Sequence, residues 1–145
     1  MKPINEMKMS FESRSCNESF ARSSVAAFIA VLDPNVEELS DIKTAVSEAV
    51  TNCIVHGYKE SIGKVYIHVK IFEGARIRFC IKDKGCGISD IKKAMEPLYT
   101  TCETGERAGL GFSIMESFMD KLKVRSKPGK GTSVTLEKSI VSKGK

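Results

Sequence analysis

The spacing of apolar residues along the chain predicts a sheet built from short strands. Every second residue is apolar in 64–72 and again in 75–82, and such alternation is typical of strands with one buried face. A tight turn at 73–74, with Gly74, is expected to join them into a hairpin. Weaker alternation predicts an edge strand near the start of the chain and a second hairpin near the end. The predicted strands are 8–13, 64–72, 75–82, 123–126 and 132–138.

Apolar residues at the helical period of 3.6 fill the intervals between these strands. Asn17 is expected to cap the first helix, and Asp33-Pro34 marks the start of the second, with proline near its first position. Gly57 suits the end of that second helix. The predicted helices are 17–32, 34–58, 89–95 and 109–122.

These elements predict an α+β two-layer sandwich, with a mixed, mostly antiparallel sheet and helices on one face. No linker or repeat divides the 145 residues, so 1–145 is expected to be a single domain. The segment 97–108 has no clear period and is rich in threonine and charge. It is expected to be a loop that acts as a lid over a ligand.

Composition narrows the function classes only a little. No apolar run approaches the roughly 20 residues that span a membrane, and the five cysteines are scattered, which favours a cytoplasmic protein. The net charge of +5 includes eight basic residues in 121–145. Because these alternate with apolar residues, they are expected to form the solvated face of a strand. Nucleic-acid binding stays open as an alternative that rests on charge alone.

A polar stripe on the second helix is the first candidate for chemistry. Glu48, Asn52 and His56 are spaced i, i+4 and i+8, so on a helix they share one face. Asn52 can offer magnesium a neutral oxygen, and Glu48 can accept the proton of an incoming hydroxyl. His56 is expected to support the helix end rather than to bind a ligand.

Two glycine-containing segments complete the candidate site. In Asp83-Lys-Gly85-Cys-Gly87, a carboxylate that can accept a hydrogen bond from adenine precedes a backbone that a ligand can approach closely. In Gly109-Leu110-Gly111, the start of a helix offers free N–H groups to phosphate, and Arg107 precedes it. Together with the helical stripe, these segments predict a nucleotide site for phosphoryl transfer.

Four segments, in this order, resemble the ATP-binding family that includes Hsp90, DNA gyrase B, MutL and histidine kinases. They are 48–57, 83–87, 107–111 and 129–132, which resemble the N box and three glycine boxes of that family. Within the family, segments 17–22, 47–58 and 106–115 are similar to anti-sigma serine kinases of sporulation, and this resemblance covers nearly the whole chain.

The resemblance implies a Bergerat-type ATP-binding fold and a homodimer that inhibits a sporulation sigma factor. It also implies that the protein uses Mg-ATP to phosphorylate a serine of an anti-anti-sigma protein. By motif match, Glu48 would be the catalytic base, Asn52 the magnesium ligand, and Arg22 part of the surface that meets partners. The remaining implied nucleotide-binding residues are Asp83, Gly85, Gly87, Thr100, Thr101, Arg107, Gly109, Leu110, Gly111 and Thr132.

One departure from the family concerns the lid, where Cys102 follows the paired threonines in place of the lysine that many relatives carry. Two alternatives to the kinase remain. A histidine-kinase catalytic domain would need a separate phospho-acceptor histidine, but His56 and His68 both lie in other elements. A nucleotide-gated binding module without transfer would not need a base at Glu48.

Overall fold

The computed structural model describes residues 2–88 and 108–141, with the backbone alone for 108–110. The strands in these ranges are β1 (Asn5–Glu12), β2 (Lys64–Phe72), β3 (Arg76–Asp83), β4 (Lys121–Lys127) and β5 (Gly131–Ser139). The helices are α1 (Asn17–Ile29), α2 (Val36–Asn52) and α3 (Ala108–Phe118). A short 3₁₀ turn, Ala30–Leu32, follows α1, and a π-helical turn, Cys53–Gly57, follows α2.

The strands form one sheet in the order β1-β2-β3-β5-β4, with β1 at an edge as the sequence predicts. All four neighbouring pairs in the described ranges are antiparallel, so the parallel component allowed for in a mixed sheet is not found there. The last strand, β5, lies between β3 and β4. The two-layer α+β sandwich is therefore confirmed.

The alternation in the strands separates an inner from an outer face of the sheet. Inward side chains such as Phe79 and Ile81 are fully buried, and they pack with Val46 and Val50 of α2 and with Phe112 of α3. The outward side chains of the same strands are mostly polar. All three helices of the described ranges contribute buried residues to this one core, so they cover the inner face, and none of them lies on the outer face.

The helix starts differ from the sequence prediction in their caps. Asn17 is the first residue of α1 rather than its N-cap, and its Nδ2 donates to Glu12 O at 2.9 Å. The N-cap of α2 is Asn35, one residue after Pro34. Asn35 Oδ1 accepts from Glu38 N at 2.7 Å, and Glu38 Oε1 accepts from Asn35 N at 3.0 Å. This capping box contributes about 0.5–2 kcal/mol and fixes the start of the helix that carries the site.

Two predicted boundaries also move. β3 begins at Arg76 because Gly74 and Ala75 both have positive φ and belong to the turn. α3 ends at Phe118, four residues earlier than predicted, and β4 begins at Lys121, two residues earlier. The helix predicted at 89–95 lies outside the described residues.

Candidate nucleotide site

The end of α2 differs from the regular helix on which the predicted polar stripe depended. After Asn52 the chain widens into the π-helical turn, and Tyr58 N donates to Cys53 O at 3.0 Å. The expectation that His56 shares the face of Glu48 and Asn52 assumed 3.6 residues per turn up to position 56, but the turn is wider there. His56 nevertheless lines the same cavity as Asn52. Turns of this kind are frequent at functional sites.

The wide turn instead directs two backbone carbonyls at the glycine loop 84–87. Gly57 O accepts from Cys86 N at 2.8 Å, and His56 O accepts from the Cys86 thiol at 3.1 Å. Gly85 is required here because a Cβ at this position would collide with the carbonyl of Gly57. The loop and the helix end therefore form one unit, and Gly87 lies in the loop with a φ of 76°.

Asp83 is the last residue of β3, and it is only 3% exposed. Its Oδ1 accepts from Gly85 N at 2.9 Å, and the Cys53 thiol and the Thr132 backbone N–H also donate to its carboxylate. Burial raises the pKa of Asp83 above its ordinary value, although these hydrogen bonds oppose the rise. Burial also raises the pKa of Cys53 well above its ordinary value, so the thiol keeps the proton that it donates.

A cavity of about 170 Å³ opens beside this carboxylate. Its polar lining comes from Asn52, His56, Asp83 and Thr132, which lie on the end of α2 and on β3 and β5. Its apolar walls come from Ala49, Ile81, Ile88, Phe112 and Val134. Apolar walls around a buried carboxylate suit a flat heteroaromatic ring that carries an amine. The structure thus brings Asn52, Asp83, Gly87 and Thr132 together, as the sequence predicts.

Glu48 lies next to this cavity rather than in its lining, one turn before Asn52. Helix α3 approaches both residues through Gly111. A Cβ there would lie 3.1 Å from Glu48 Oε2 and 3.3 Å from Asn52 Nδ2. Burial raises the pKa of Glu48 above its ordinary value, and the charge of Glu18 raises it further. A carboxylate with a raised pKa is a better proton acceptor near neutral pH.

The side chain of Asn52 carries a polar atom whose hydrogen-bonding capacity is unused in the described residues. Its Nδ2 is buried and makes no hydrogen bond within the described part of the chain. Turning the amide by 180° would place Oδ1 in the same position, where it could face a cation. No group of three or more His, Cys, Asp or Glu in the described ranges could hold a metal ion alone. The residues therefore fit a magnesium ion that takes most of its oxygens from phosphates and water.

Arg22 lies on α1, away from the cavity lining. Its Nη1 is 3.3 Å from Glu18 Oε2, and that same oxygen accepts from Ser47 Oγ at 2.7 Å. The side chain of Arg22 is 38% exposed, so part of it reaches the surface. The ion pair with Glu18 restrains its guanidinium group. Because Ser47 precedes Glu48 in the chain, Glu18 links the surface of α1 to the helix that carries the site.

Sequence reasoning missed two contributors, Glu18 and Cys53. The signal for Glu18 was present, because it lies four residues before Arg22 on a predicted helix, where opposite charges pair. No local signal connected Cys53 with Asp83, since they are thirty residues apart and meet only in the folded chain.

Several predicted positions lie outside the residues whose side chains are described. These are Thr100, Thr101, Arg107 and nearly all of the segment 97–108. Gly109 and Leu110 lie in the first turn of α3, as expected for a helix start, but only their backbone is described. Of the helices in the described ranges, none combines the length and apolar composition that crossing a membrane requires.

Comparison with known families is consistent with this arrangement. Residues 11–138 match the family model described as the histidine kinase-like ATPase domain. This match spans most of the chain, and the protein therefore belongs to the histidine kinase-like ATPase family. The crystal structure of the RsbU and RsbW domains of a Mycobacterium tuberculosis protein has the same fold. Its TM-score is 0.68 at 17% identity, and the match covers 95% of this chain and 33% of that one.

Within the family, curated relatives that match over nearly their full length are named anti-sigma F factor. The one from Thermoanaerobacter sp. (strain X514) is 56% identical over 142 residues, which is 98% of this chain and 99% of that protein. The one from Halalkalibacterium halodurans is 55% identical over 137 residues, with 94% and 93% covered. The family resemblance drawn from the sequence motifs is confirmed.

Proposed function

We propose that this protein is a cytoplasmic, homodimeric anti-sigma factor and protein serine kinase. It binds and inhibits a sporulation sigma factor, and it uses Mg-ATP to phosphorylate a serine of an anti-anti-sigma protein. The names of its full-length relatives support the anti-sigma role. The observation that carries the kinase proposal is a single cavity that holds the buried acceptor Asp83 and the unpaired amide of Asn52, with Glu48 beside it.

The adenine end of the site is assigned to Asp83 and the residues that hold it. Its carboxylate accepts the hydrogen bond of the exocyclic amine, and the apolar walls contact the ring. Gly85 and Gly87 let the loop lie close to the base, and Thr132 supports Asp83 through its backbone.

The phosphate end is assigned to Asn52 and the start of α3. Asn52 Oδ1 would hold magnesium, which would neutralise charge on the phosphates. The backbone of Gly109, Leu110 and Gly111 donates to phosphate oxygens at the helix start. Thr100, Thr101 and Arg107 are the further phosphate contacts that this proposal includes, with Arg107 able to donate two hydrogen bonds.

Glu48 is the general base in this proposal. Its raised pKa has a physical cause in its burial and in the charge of Glu18, and its carboxylate lies beside Gly111 at the phosphate end. It takes the proton of the substrate serine hydroxyl as the oxygen attacks the γ-phosphorus. The bond from that phosphorus to the bridging oxygen breaks, and ADP leaves. Arg22, on the neighbouring helix α1, contributes to the surface that both partner proteins contact.

Glu48→Gln tests the kinase proposal, because the amide keeps the volume of the side chain but cannot take a proton. With labelled ATP, magnesium and the anti-anti-sigma protein, phosphate transfer should fall by roughly 100-fold or more. ATP and sigma-factor binding, measured by calorimetry, should persist. The matched control is Glu116→Gln on the exposed side of α3, which should transfer phosphate normally.

Three results would separate the alternatives. Near-normal transfer by Glu48→Gln would remove this residue from the mechanism. A wild-type protein that binds ATP without any transfer would indicate a nucleotide-gated binding module. Label on a histidine in place of a serine would indicate histidine-kinase chemistry.

A further inference from the structure

The outer face of the sheet carries rows of side chains that cross the strands. The pairing register places Arg78, Glu137 and Lys121 side by side on β3, β5 and β4. In this row the middle residue is a carboxylate, and Arg78 Nε lies 3.2 Å from Glu137 Oε2. The carboxylate of Glu137 therefore offsets part of the positive charge of this row through its ion pair with Arg78.

The row four residues along lacks this compensation. Here Lys82, Ser133 and Arg125 occupy the corresponding positions on β3, β5 and β4. Adjacent strands lie about 4.8 Å apart, so the backbones that carry Lys82 and Arg125 lie about 10 Å apart, with one small neutral side chain between them. The next position of β5, Gly131, has no side chain at all and pairs with Lys127.

The small residues of β5 leave a hollow between the longer side chains. It is shallow and widely open to solvent, with a volume of about 270 Å³. Its lining includes Lys82, Arg125, Lys127, Lys130, Gly131 and Ser133, and we call it the outer cleft. Across residues 2–88 and 108–141, none of its four cations belongs to an ion pair. Four like charges around a hollow repel one another unless an anion enters.

One carboxylate, that of Asp83, also borders the outer cleft. Its side chain is turned to the inner face of the sheet. A Cβ on Gly57 would lie 2.7 Å from its Oδ2, and its Oδ1 accepts from Gly85 N. The carboxylate of Asp83 therefore faces the nucleotide cavity and does not pair with the cations of the outer cleft.

We propose that the outer cleft binds the phosphate groups of a small polyphosphate-bearing ligand. Arg125 offers a planar pair of donors that matches phosphate oxygens, and the three lysines add point charges. The hollow is short along β5, because the residues at every second position beyond Ser133 are Thr135 and Glu137, which have larger side chains. A ligand with several charges in a small volume suits this shape better than a long polyanion does. The proposal is independent of the nucleotide cavity, which lies on the other face of the sheet.

Calorimetry with inorganic tripolyphosphate tests the proposal. Binding at the inner cavity is weakened by leaving out magnesium and by the variant Asn52→Ala, which removes the amide assigned to the phosphate end. One equivalent of tripolyphosphate should still bind. The double variant Lys82→Ser, Arg125→Ser should weaken binding by about 10-fold or more, since hydrogen bonds to charged groups are each worth at least that factor.

The matched control removes the same charge from the same face at the opposite edge of the sheet. Lys8→Ser, Lys70→Ser leaves the outer cleft intact and should bind tripolyphosphate as the wild type does. Ser133→Glu gives a second, independent variant. It places a carboxylate at the centre of the row, as Glu137 does in the other row, so it should abolish binding without lowering the unfolding temperature.

Unchanged affinity in both cleft variants would overturn the proposal, and so would loss of tripolyphosphate binding in Asn52→Ala, which leaves the outer cleft intact. A third overturning result is retention of duplex DNA through Lys82 and Arg125 without any binding of tripolyphosphate. That outcome would make this face a nucleic-acid surface, and its affinity would fall steeply with salt.

Discussion

Asp83→Asn changes the residue on which base recognition depends. The amide keeps the volume of the side chain and one oxygen for Gly85 N, but it replaces the second acceptor oxygen with a donor. The amine of adenine then loses its buried partner, which costs about 1–3 kcal/mol. The dissociation constant for ATP should rise by about 5- to 150-fold, measured by calorimetry on the folded variant.

Base preference gives a second measurement of the same change. Guanine carries a carbonyl where adenine carries the amine, so an amide donor at position 83 opposes guanine less than a carboxylate does. The preference of the variant for ATP over GTP should therefore narrow. The control is Asp33→Asn, an exposed position with a φ of 52° that asparagine also tolerates, and it should leave both affinities unchanged.

The pH dependence of stability follows from the raised pKa of Asp83. The folded protein holds the proton of this group more tightly than the unfolded chain does. As pH falls through the folded pKa, the wild type therefore gains stability that the uncharged Asn variant does not gain. In urea unfolding from neutral to acidic pH, the free energy of unfolding of the wild type should rise relative to that of the Asn variant. An unchanged ATP affinity in a folded variant would refute the assignment of Asp83 to adenine.

Two further substitutions test the phosphate end and the partner surface. Gly111→Ala places a methyl group 3.1 Å from Glu48 Oε2, so transfer should fall by up to about 100-fold while ATP affinity changes less and the unfolding temperature does not fall. Transfer at the wild-type rate would show that the close approach is not needed. Arg22→Glu breaks the ion pair with Glu18 and adds a like-charge pair that costs about 0.2–0.5 kcal/mol, so the fold and ATP binding should persist. Pull-downs should show weaker retention of both protein partners, and undiminished retention would exclude Arg22 from a shared surface.

The sequence predicts the elements well where their signals are local. The alternation in β2 and β3 depends on the period of two along each strand, and the structure places both within one residue of the prediction. The order of the strands was not predictable in this way. That β5 lies between β3 and β4 depends on pairings between residues 49 to 63 positions apart, which leave no periodic signal in either segment.

The residues of the site also divide into those with a local sequence signal and those placed by distant contacts. Glu48, Asn52 and Asp83 were found because their residue types and spacing carry the chemistry. The wide turn at His56 was not predicted, because hydrogen bonds from Cys86, thirty residues away, hold it. The thiol of Cys53 was missed for the same reason, since its partner Asp83 reaches it only through tertiary packing.

The place of β5 in the sheet also sets the order in which the protein can be completed during synthesis. Strands β1, β2 and β3 pair directly with one another, but Asp83 lacks the backbone of Thr132 until β5 emerges. The 48 residues from Asp83 to Gly131 take roughly 2 to 10 s to translate. Throughout this interval β3 is a free edge that can pair with other strands. A nascent chain therefore lacks Thr132 and Val134 of the cavity lining until translation has passed the last strand of the sheet.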